Sequence, residues 1–141
     1  MTVKSLIPAI AFNANCAEAI ALYERVFGAK VEGIMRYSEM AKQGHPVDAA
    51  YGDKILHAML SVGEGRLMVM DKHPGMPWSD QTNVQVAIEL SDTPALERAF
   101  ELLSPGGEVT LPPHDSFWGA RFAMLRDAFG VRWMLSHTKG A

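Results

Sequence analysis

A chain of 141 residues that is 48% hydrophobic and 21% charged is long enough for one globular domain, and this balance excludes an intrinsically disordered protein. Its net charge of −3, with 13 lysine and arginine residues that form no basic run, argues against a nucleic-acid partner. The single cysteine excludes an internal disulfide, and because we find neither a signal-peptide pattern nor a stretch of about 18 apolar residues, we expect a cytoplasmic protein without a membrane partner.

The first quarter of the chain predicts strand, helix and strand in that order. Leu6–Phe12 is apolar and predicts a strand, with Asn15 as the N-cap of the helix that follows. Gly28 ends this helix, and Lys30–Tyr37 alternates well enough for a second strand. The helix is predicted from apolar residues at helical spacing: Cys16, Ile20, Tyr23 and Phe27.

A hairpin is predicted next. Ile55–Val62 and Arg66–Asp71 flank Gly63–Gly65, which supplies the glycines of a tight turn. Ser38–Lys54 and Lys72–Gln81 are polar and are expected to be long loops, which typically serve as lids, partner contacts or disordered segments.

The second half repeats this order. Thr82–Leu90 alternates strictly, with its valines, isoleucine and leucine on one face and Gln85, Ala87 and Glu89 on the other. Asp92 is the predicted cap of a helix that Pro105–Gly107 stops, and Glu108–Leu111 begins the next strand. A second hairpin is formed by two further predicted strands, Trp118–Arg126 and Val131–His137.

This repetition predicts an α+β fold in which two βαβββ modules form a curved mixed sheet around a cleft, with the helices outside. Module one runs over about residues 5–71 and module two over about residues 82–137 of a single domain, 1–141. The more polar sheet faces would line the cleft, where a ligand is expected.

Asn15–Gly28 is similar to the first helix of the vicinal oxygen chelate superfamily, the glyoxalase/bleomycin resistance/dioxygenase group. Phe117–Phe122 and Asp127–Trp133 resemble its PhnB-like branch, and Asp53–Ala58 resembles the third strand of that branch. The resemblance spans nearly the whole chain and implies the fold. It implies no single activity, because the superfamily carries lyases, isomerases, dioxygenases and antibiotic binders on one scaffold.

The branch also carries the label 3-demethylubiquinone methyltransferase-like. A methyltransferase that uses S-adenosylmethionine generally needs a glycine-rich turn between a strand and a helix. Here Gly63–Gly65 joins two strands, and Gly106 and Gly107 follow a helix. We therefore give this activity little weight.

In metal-using relatives, the ligands come from the first, fourth, fifth and eighth strands. The resemblance puts these positions at Pro8, Val69, Gln85 (or Val86) and Met134, which lack the donors of a divalent ion. We therefore expect the usual metal site to be absent and predict no cofactor. The remaining candidates for a different metal site show no compelling spacing: His45, Asp48, His57, Asp71 and His73.

Six residues are candidates for ligand binding: Gln85, Glu89, His57, Trp118, Arg121 and Met134. Glu89 or His57 could act as a general base in a cleft, whereas a lone glutamate is more often solvated. Arg121 could clamp an anionic or planar ligand, or form a structural ion pair with Asp127 or Glu89. Trp118 suits packing more than stacking on a ligand.

Cys16 lies in the first helical turn, where the helix dipole would lower its pKa, but a small core residue is the favoured interpretation. The sequence thus favours a metal-independent protein that binds a small organic ligand, and the family resemblance implies that it forms a homodimer. The alternative is a lyase, isomerase or dioxygenase-type enzyme with a non-standard metal site or a Glu/His acid–base pair.

Overall fold

The computed structural model describes residues 2–140, which divide into two compact units, one up to Ser79 and one from Asp80. The first unit contains four strands, two helices and a short 3-10 turn: β1 Ala9–Phe12, α1 Cys16–Phe27, β2 Lys30–Arg36, α2 Tyr37–Lys42, the turn Ala49–Tyr51, β3 Ile55–Val62 and β4 Gly65–Asp71. The second contains four strands and one helix: β5 Val86–Glu89, α3 Thr93–Leu103, β6 Glu108–Asp115, β7 Ala120–Arg126 and β8 Arg132–Thr138.

Each unit carries one mixed four-stranded sheet, and the two sheets have the same strand order. The order is β1-β4-β3-β2 in the first and β5-β8-β7-β6 in the second. In both, the first strand pairs in parallel with the fourth, and the other pairs are antiparallel. The predicted α+β class with two βαβββ modules is confirmed.

Helix α1 packs on β3 and β4, and α3 packs on β7 and β8. Because alternate residues of a strand point to opposite faces, each helix covers one row of apolar side chains. In unit one the row on β3 and β4 consists of Ala58, Leu60, Leu67 and Val69; in unit two the row on β7 and β8 includes Ala123, Leu125, Trp133 and Leu135. These rows form the two cores.

The two helices begin differently. Asp92 caps α3 as predicted, since its carboxylate accepts the backbone N–H of Ala95 at 2.8 Å. Asn15 precedes α1, but its side chain makes no cap bond, so that prediction was wrong. The first N–H of α1, from Cys16, is instead donated to the buried carboxylate of Asp71 at 2.9 Å. Gly28 ends α1 in the left-handed conformation, with φ of 66°.

Several predicted boundaries were too generous. The strand predicted over Leu6–Phe12 begins at Ala9, and the one predicted over Thr82–Leu90 is limited to Val86–Glu89. The predicted loop Ser38–Lys54 contains most of α2 and the 3-10 turn. Among residues 2–140, we find no helix with the length and apolar character that crossing a membrane requires.

Candidate functional site

In unit one, the sheet face opposite α1 is rich in methionine. Met59 on β3 pairs directly with Met68 on β4, and Met70 lies on the same side of β4. Met35 on β2 pairs with His57 on β3 and extends this row. All are half-buried apart from the exposed Met35. We call these five residues the methionine face.

Val69 does not lie on the inward-facing side of the sheet, where the family resemblance placed it. Its side chain is fully buried on the α1 side of the sheet, between Ile10 and Ala58 in the register. Its neighbours Met68 and Met70 occupy the opposite face, so the predicted inward-facing position was one residue out of register. Pro8 precedes β1, where its carbonyl accepts the N–H of Met68 at 2.9 Å.

A β-bulge shapes one end of the methionine face. The register between β2 and β3 shifts between Met35 and Arg36, so that Leu56 and His57 are both half-buried in succession. Beside this bulge is a recess of about 330 Å³, lined by Met35, Leu56 and five residues from outside the sheet: Glu39, Met40, Gln43, His45 and His73. No sequence pattern predicted this recess, because it depends on the bulge and on α2.

Three of the five candidates for an alternative metal site are engaged in structural contacts: Asp71, Asp48 and His73. Asp71 accepts the N–H groups of Cys16 and Ile55 at 2.9 and 2.8 Å. Asp48 accepts the N–H of Ala50 at 3.0 Å, and the ring of His73 packs edge-on against Tyr37 at 5.4 Å. Within residues 2–140, no three His, Cys, Asp or Glu side chains are grouped as metal ligands.

In unit two, the face opposite α3 contains two of the predicted residues, Glu89 and Met134. Met134 on β8 lies between Ala87 on β5 and Met124 on β7. One step further along, Glu89 pairs with Ser136, and Ser136 pairs with Phe122. We call the face with these six residues the unit-two face.

Two predicted residues lie at the margin of the unit-two face. The carboxylate of Glu89 accepts the backbone N–H of Thr138 at 2.7 Å, so it secures the end of β8. Trp118 is 54% exposed and contacts Phe122 edge-on, with ring centroids 5.2 Å apart. Gln85 is exposed just before β5 and lines a separate recess of about 130 Å³.

Arg121 points to the other side of the sheet. Its Nε and one terminal nitrogen donate to a carboxylate oxygen of Glu97 on α3 at 2.9 and 2.7 Å, and a second terminal nitrogen donates to Asp115 at 3.4 Å. The ion-pair interpretation is correct, but the partners predicted from the sequence, Asp127 and Glu89, are wrong. Asp127 instead accepts the indole N–H of the buried Trp133 at 2.9 Å.

Cys16 is fully buried in the core of unit one. Burial, together with smaller contributions from the nearby Asp71 and Glu18 carboxylates, raises the pKa of its thiol to about 12. Desolvation therefore overrides the lowering expected from the helix dipole, which confirms the core interpretation.

The positions that hold metal in relatives do not fit a hard divalent ion here. Pro8 has no donor atom, and Met68, Met70 and Met134 offer only soft thioether sulfur. Gln85 supplies one amide oxygen, at an exposed position. One oxygen donor is too few for a catalytic metal, which usually takes three protein ligands.

Comparison with known proteins gives a consistent family. The model of the glyoxalase/bleomycin resistance protein/dioxygenase superfamily matches residues 6–135. Protein YjdN of Escherichia coli strain K12 is 27% identical over 141 residues, which is 95% of each chain. The crystal structure of protein PA1353 from Pseudomonas aeruginosa is 33% identical with a TM-score of 0.82, covering 96% of this chain and 98% of that one.

The PhnB protein from Bacillus cereus is similar in fold. Its TM-score is 0.78 at 18% identity, over 95% of this chain and 99% of that one. The arrangement of strands and helices is thus shared with these proteins across almost the entire chain.

Proposed function

Because the chain belongs to the glyoxalase/bleomycin resistance protein/dioxygenase superfamily, we propose that it is a metal-independent protein that binds a small organic molecule. The ligand would lie against the sheet face opposite the helix, where the fold leaves apolar side chains without a helix above them. The ligand would be held by apolar contacts with methionine side chains and by a few polar groups, as in most small-molecule sites.

The methionine face is the observation that carries this proposal. Met59, Met68 and Met70 are adjacent in the register, half-buried, and placed on the face opposite α1. Thioether side chains are flexible and polarisable, so they adapt to the shape of an organic ligand. His57 is the polar group within this face, and no hydrogen-bond partner is found for its ring among the described residues.

Metal independence is supported by the donor atoms at the family's ligand positions. Thioether sulfur and a single amide do not satisfy a hard divalent cation. Elemental analysis of protein purified without chelators is expected to find substoichiometric metal, and EDTA is expected to leave the melting temperature unchanged. One tightly held transition metal per chain would contradict this part of the proposal.

Ligand binding is tested with small organic compounds screened by thermal shift and followed by NMR of methionine methyl groups. We expect a bound compound to shift the methyl signals of Met59, Met68 and Met70. Met68→Gln is expected to weaken binding at least about tenfold, because it puts a polar amide in the centre of the apolar row.

The matched control is Met76→Gln, since Met76 is 57% exposed and lies outside the sheets. It is expected to bind as the unmodified chain does. Equal weakening by both substitutions, or no binding by any compound, would contradict the proposal.

An acid–base enzyme is the second candidate, favoured by the ring of His57, which has no hydrogen-bond partner within residues 2–140. An imidazole on an apolar face can remove a proton from a bound ligand or donate one to it. Glu89 is less available, because its carboxylate accepts the N–H of Thr138. Turnover of a bound compound that is abolished by His57→Gln, with binding retained, would favour this candidate over simple binding.

A further inference from the structure

Arg132, on β8, faces a recess that nothing in the family assignment explains. The recess has a volume of about 130 Å³ and lies within unit two. Its lining includes four polar residues besides Arg132, together with Met124 of the unit-two face: Thr82, Asn83, Gln85 and Thr110.

The guanidinium of Arg132 is not neutralised within the described part of the chain. Its Nε is buried and has no hydrogen-bond partner. Arginine is nearly always paired when it is removed from water, because an unpaired buried donor loses its hydration without compensation. Arg132 lines the recess and has a buried nitrogen without a partner among the described residues, which indicates a missing acceptor.

Two carboxylates close to Arg126, those of Asp80 and Glu108, interact with that arginine and not with Arg132. Arg126 lies directly opposite Arg132 in the β7–β8 register, and like charges so placed repel each other. Arg126 is paired with Asp80 at 3.3 Å and lies 4.0 Å from Glu108. No acidic residue is among the described residues that line the recess. The recess therefore has a positive charge with no internal counter-ion.

The neighbouring groups suit an anion. The side-chain amides of Asn83 and Gln85 and the hydroxyl of Thr110 are hydrogen-bond donors, and none of these three groups has a partner among the described residues. Guanidinium binds carboxylate and phosphate through two parallel hydrogen bonds. Met124 adds an apolar wall that is shared with the unit-two face.

We propose that Arg132 binds the carboxylate or phosphate group of a small organic anion in this recess. The proposal deepens the proposed function and rests on it, because the organic part of such a ligand would extend over Met124 toward Met134. The oxyanion would bind the guanidinium of Arg132 and be held further by Asn83, Gln85 and Thr110.

The test titrates the full chain with benzoate, inorganic phosphate and, as the neutral counterpart, benzyl alcohol. The readout is the NMR signal of the Arg132 Nε–H together with the dissociation constant. We expect benzoate or phosphate to shift this signal, with benzoate binding more tightly than benzyl alcohol. Binding should weaken as salt concentration rises.

Arg132→Gln is expected to weaken anion binding at least about tenfold, because it removes both the charge and the fork of donors. Arg132→Lys keeps the charge and is expected to fall between Gln and the unmodified chain. Arg66→Gln is the matched control: Arg66 is a strand arginine that also has no partner among residues 2–140, but it is exposed and lies outside the recess. It should bind as the unmodified chain does.

The outcomes separate this proposal from the proposed function. If the anions leave the Arg132 signal unmoved while neutral compounds still shift the methionine methyl signals, the anion site is wrong and the binding function stands. If Arg132→Gln and Arg66→Gln weaken the anions equally, the effect is general electrostatics and the site is also wrong. If neither anions nor neutral compounds bind, both proposals fail.

Discussion

The carboxylate of Asp71 is buried at the end of β4, where it accepts two backbone N–H groups from distant parts of unit one. One oxygen binds the N–H of Cys16 at 2.9 Å and the other that of Ile55 at 2.8 Å. A buried N–H left without its acceptor costs about 1–3 kcal/mol. We expect Asp71→Ala to lower the free energy of unfolding by about 3 kcal/mol or more, measured by urea denaturation.

The control for this substitution is Asp53→Ala. Asp53 is exposed, and its contact in the structure is made by its backbone carbonyl, which the substitution retains. A loss within about 0.5 kcal/mol is expected, as for most surface changes. Similar losses at Asp71 and Asp53 would contradict the structural role of the Asp71 carboxylate.

Cys16 is expected to resist alkylation in the native protein. The thiolate is the reactive form of cysteine, and the pKa of this thiol is raised to about 12 by burial. Between pH 7 and pH 9 the native thiol therefore stays protonated, whereas the unfolded chain ionises as the pH approaches the ordinary thiol value. Iodoacetamide labelling followed by mass spectrometry should be slow in buffer across this range and fast in concentrated urea.

Comparable labelling rates in buffer and in urea would contradict the buried, protonated thiol. They would also remove the basis for treating Cys16 as a core residue rather than a reactive one. A native rate that levels off near pH 9 would indicate an ordinary pKa, because the thiolate fraction stops rising once the pH passes the pKa.

At the scale of elements, the two helix N-termini predict different losses of stability when the residue before the helix is replaced by alanine. Asp92 accepts the N–H of Ala95, so Asp92→Ala should lower the free energy of unfolding by about 1 kcal/mol. Asn15 makes no cap bond, and its side-chain oxygen is buried without a partner. Asn15→Ala should therefore change stability by less than about 0.5 kcal/mol, or increase it.

Thermal and urea unfolding of both variants, measured side by side, provide the check. A loss at Asn15 as large as that at Asp92 would mean that Asn15 does cap α1. In that case the bond from Cys16 to Asp71 would not be the one that satisfies the start of the helix.

The strands and long helices were predictable because their signals are local. Alternation identified the β3–β4 hairpin almost to the residue, and Gly28 marked the end of α1. Helix α2 was missed because its stability comes from distant contacts. Tyr37 begins it and is buried, with its hydroxyl donating to the carbonyl of Asp71 and its ring packed on Tyr51. The six residues of α2 are too few for a helical periodicity to be recognised in the sequence.

The candidate site was predictable as a face but not as a set of contacts. Alternation placed Glu89 on the face opposite the helix, the family resemblance placed Met134 there, and the strand register puts both on that face. Alternation could not identify the partner of Arg121, because several acidic residues carry the opposite charge. Only packing brings Glu97 of α3 within reach. Alternation also could not place Leu56, because a bulge shifts the register by one residue and redirects side chains.

At the scale of the whole molecule, one edge strand suggests a second copy of the chain. Every residue of β2 is exposed, including three large apolar ones: Val31 at 41%, Ile34 at 46% and Met35 at 47%. An exposed apolar edge strand favours pairing with another chain unless it is protected by charge or by a covering element. We therefore expect the homodimer that the family resemblance implies.

Sedimentation velocity is expected to show a dimer at micromolar concentration. Ile34→Lys should shift it toward the monomer, because a lysine in the middle of an apolar edge opposes strand pairing. Val84→Lys is the control, since Val84 is 64% exposed but precedes β5. A monomeric unmodified chain would contradict the dimer, and a dimer that both substitutions leave intact would show that β2 is not its interface. In the second case, the exposed Val109 and Leu111 of β6 become the next edge to substitute.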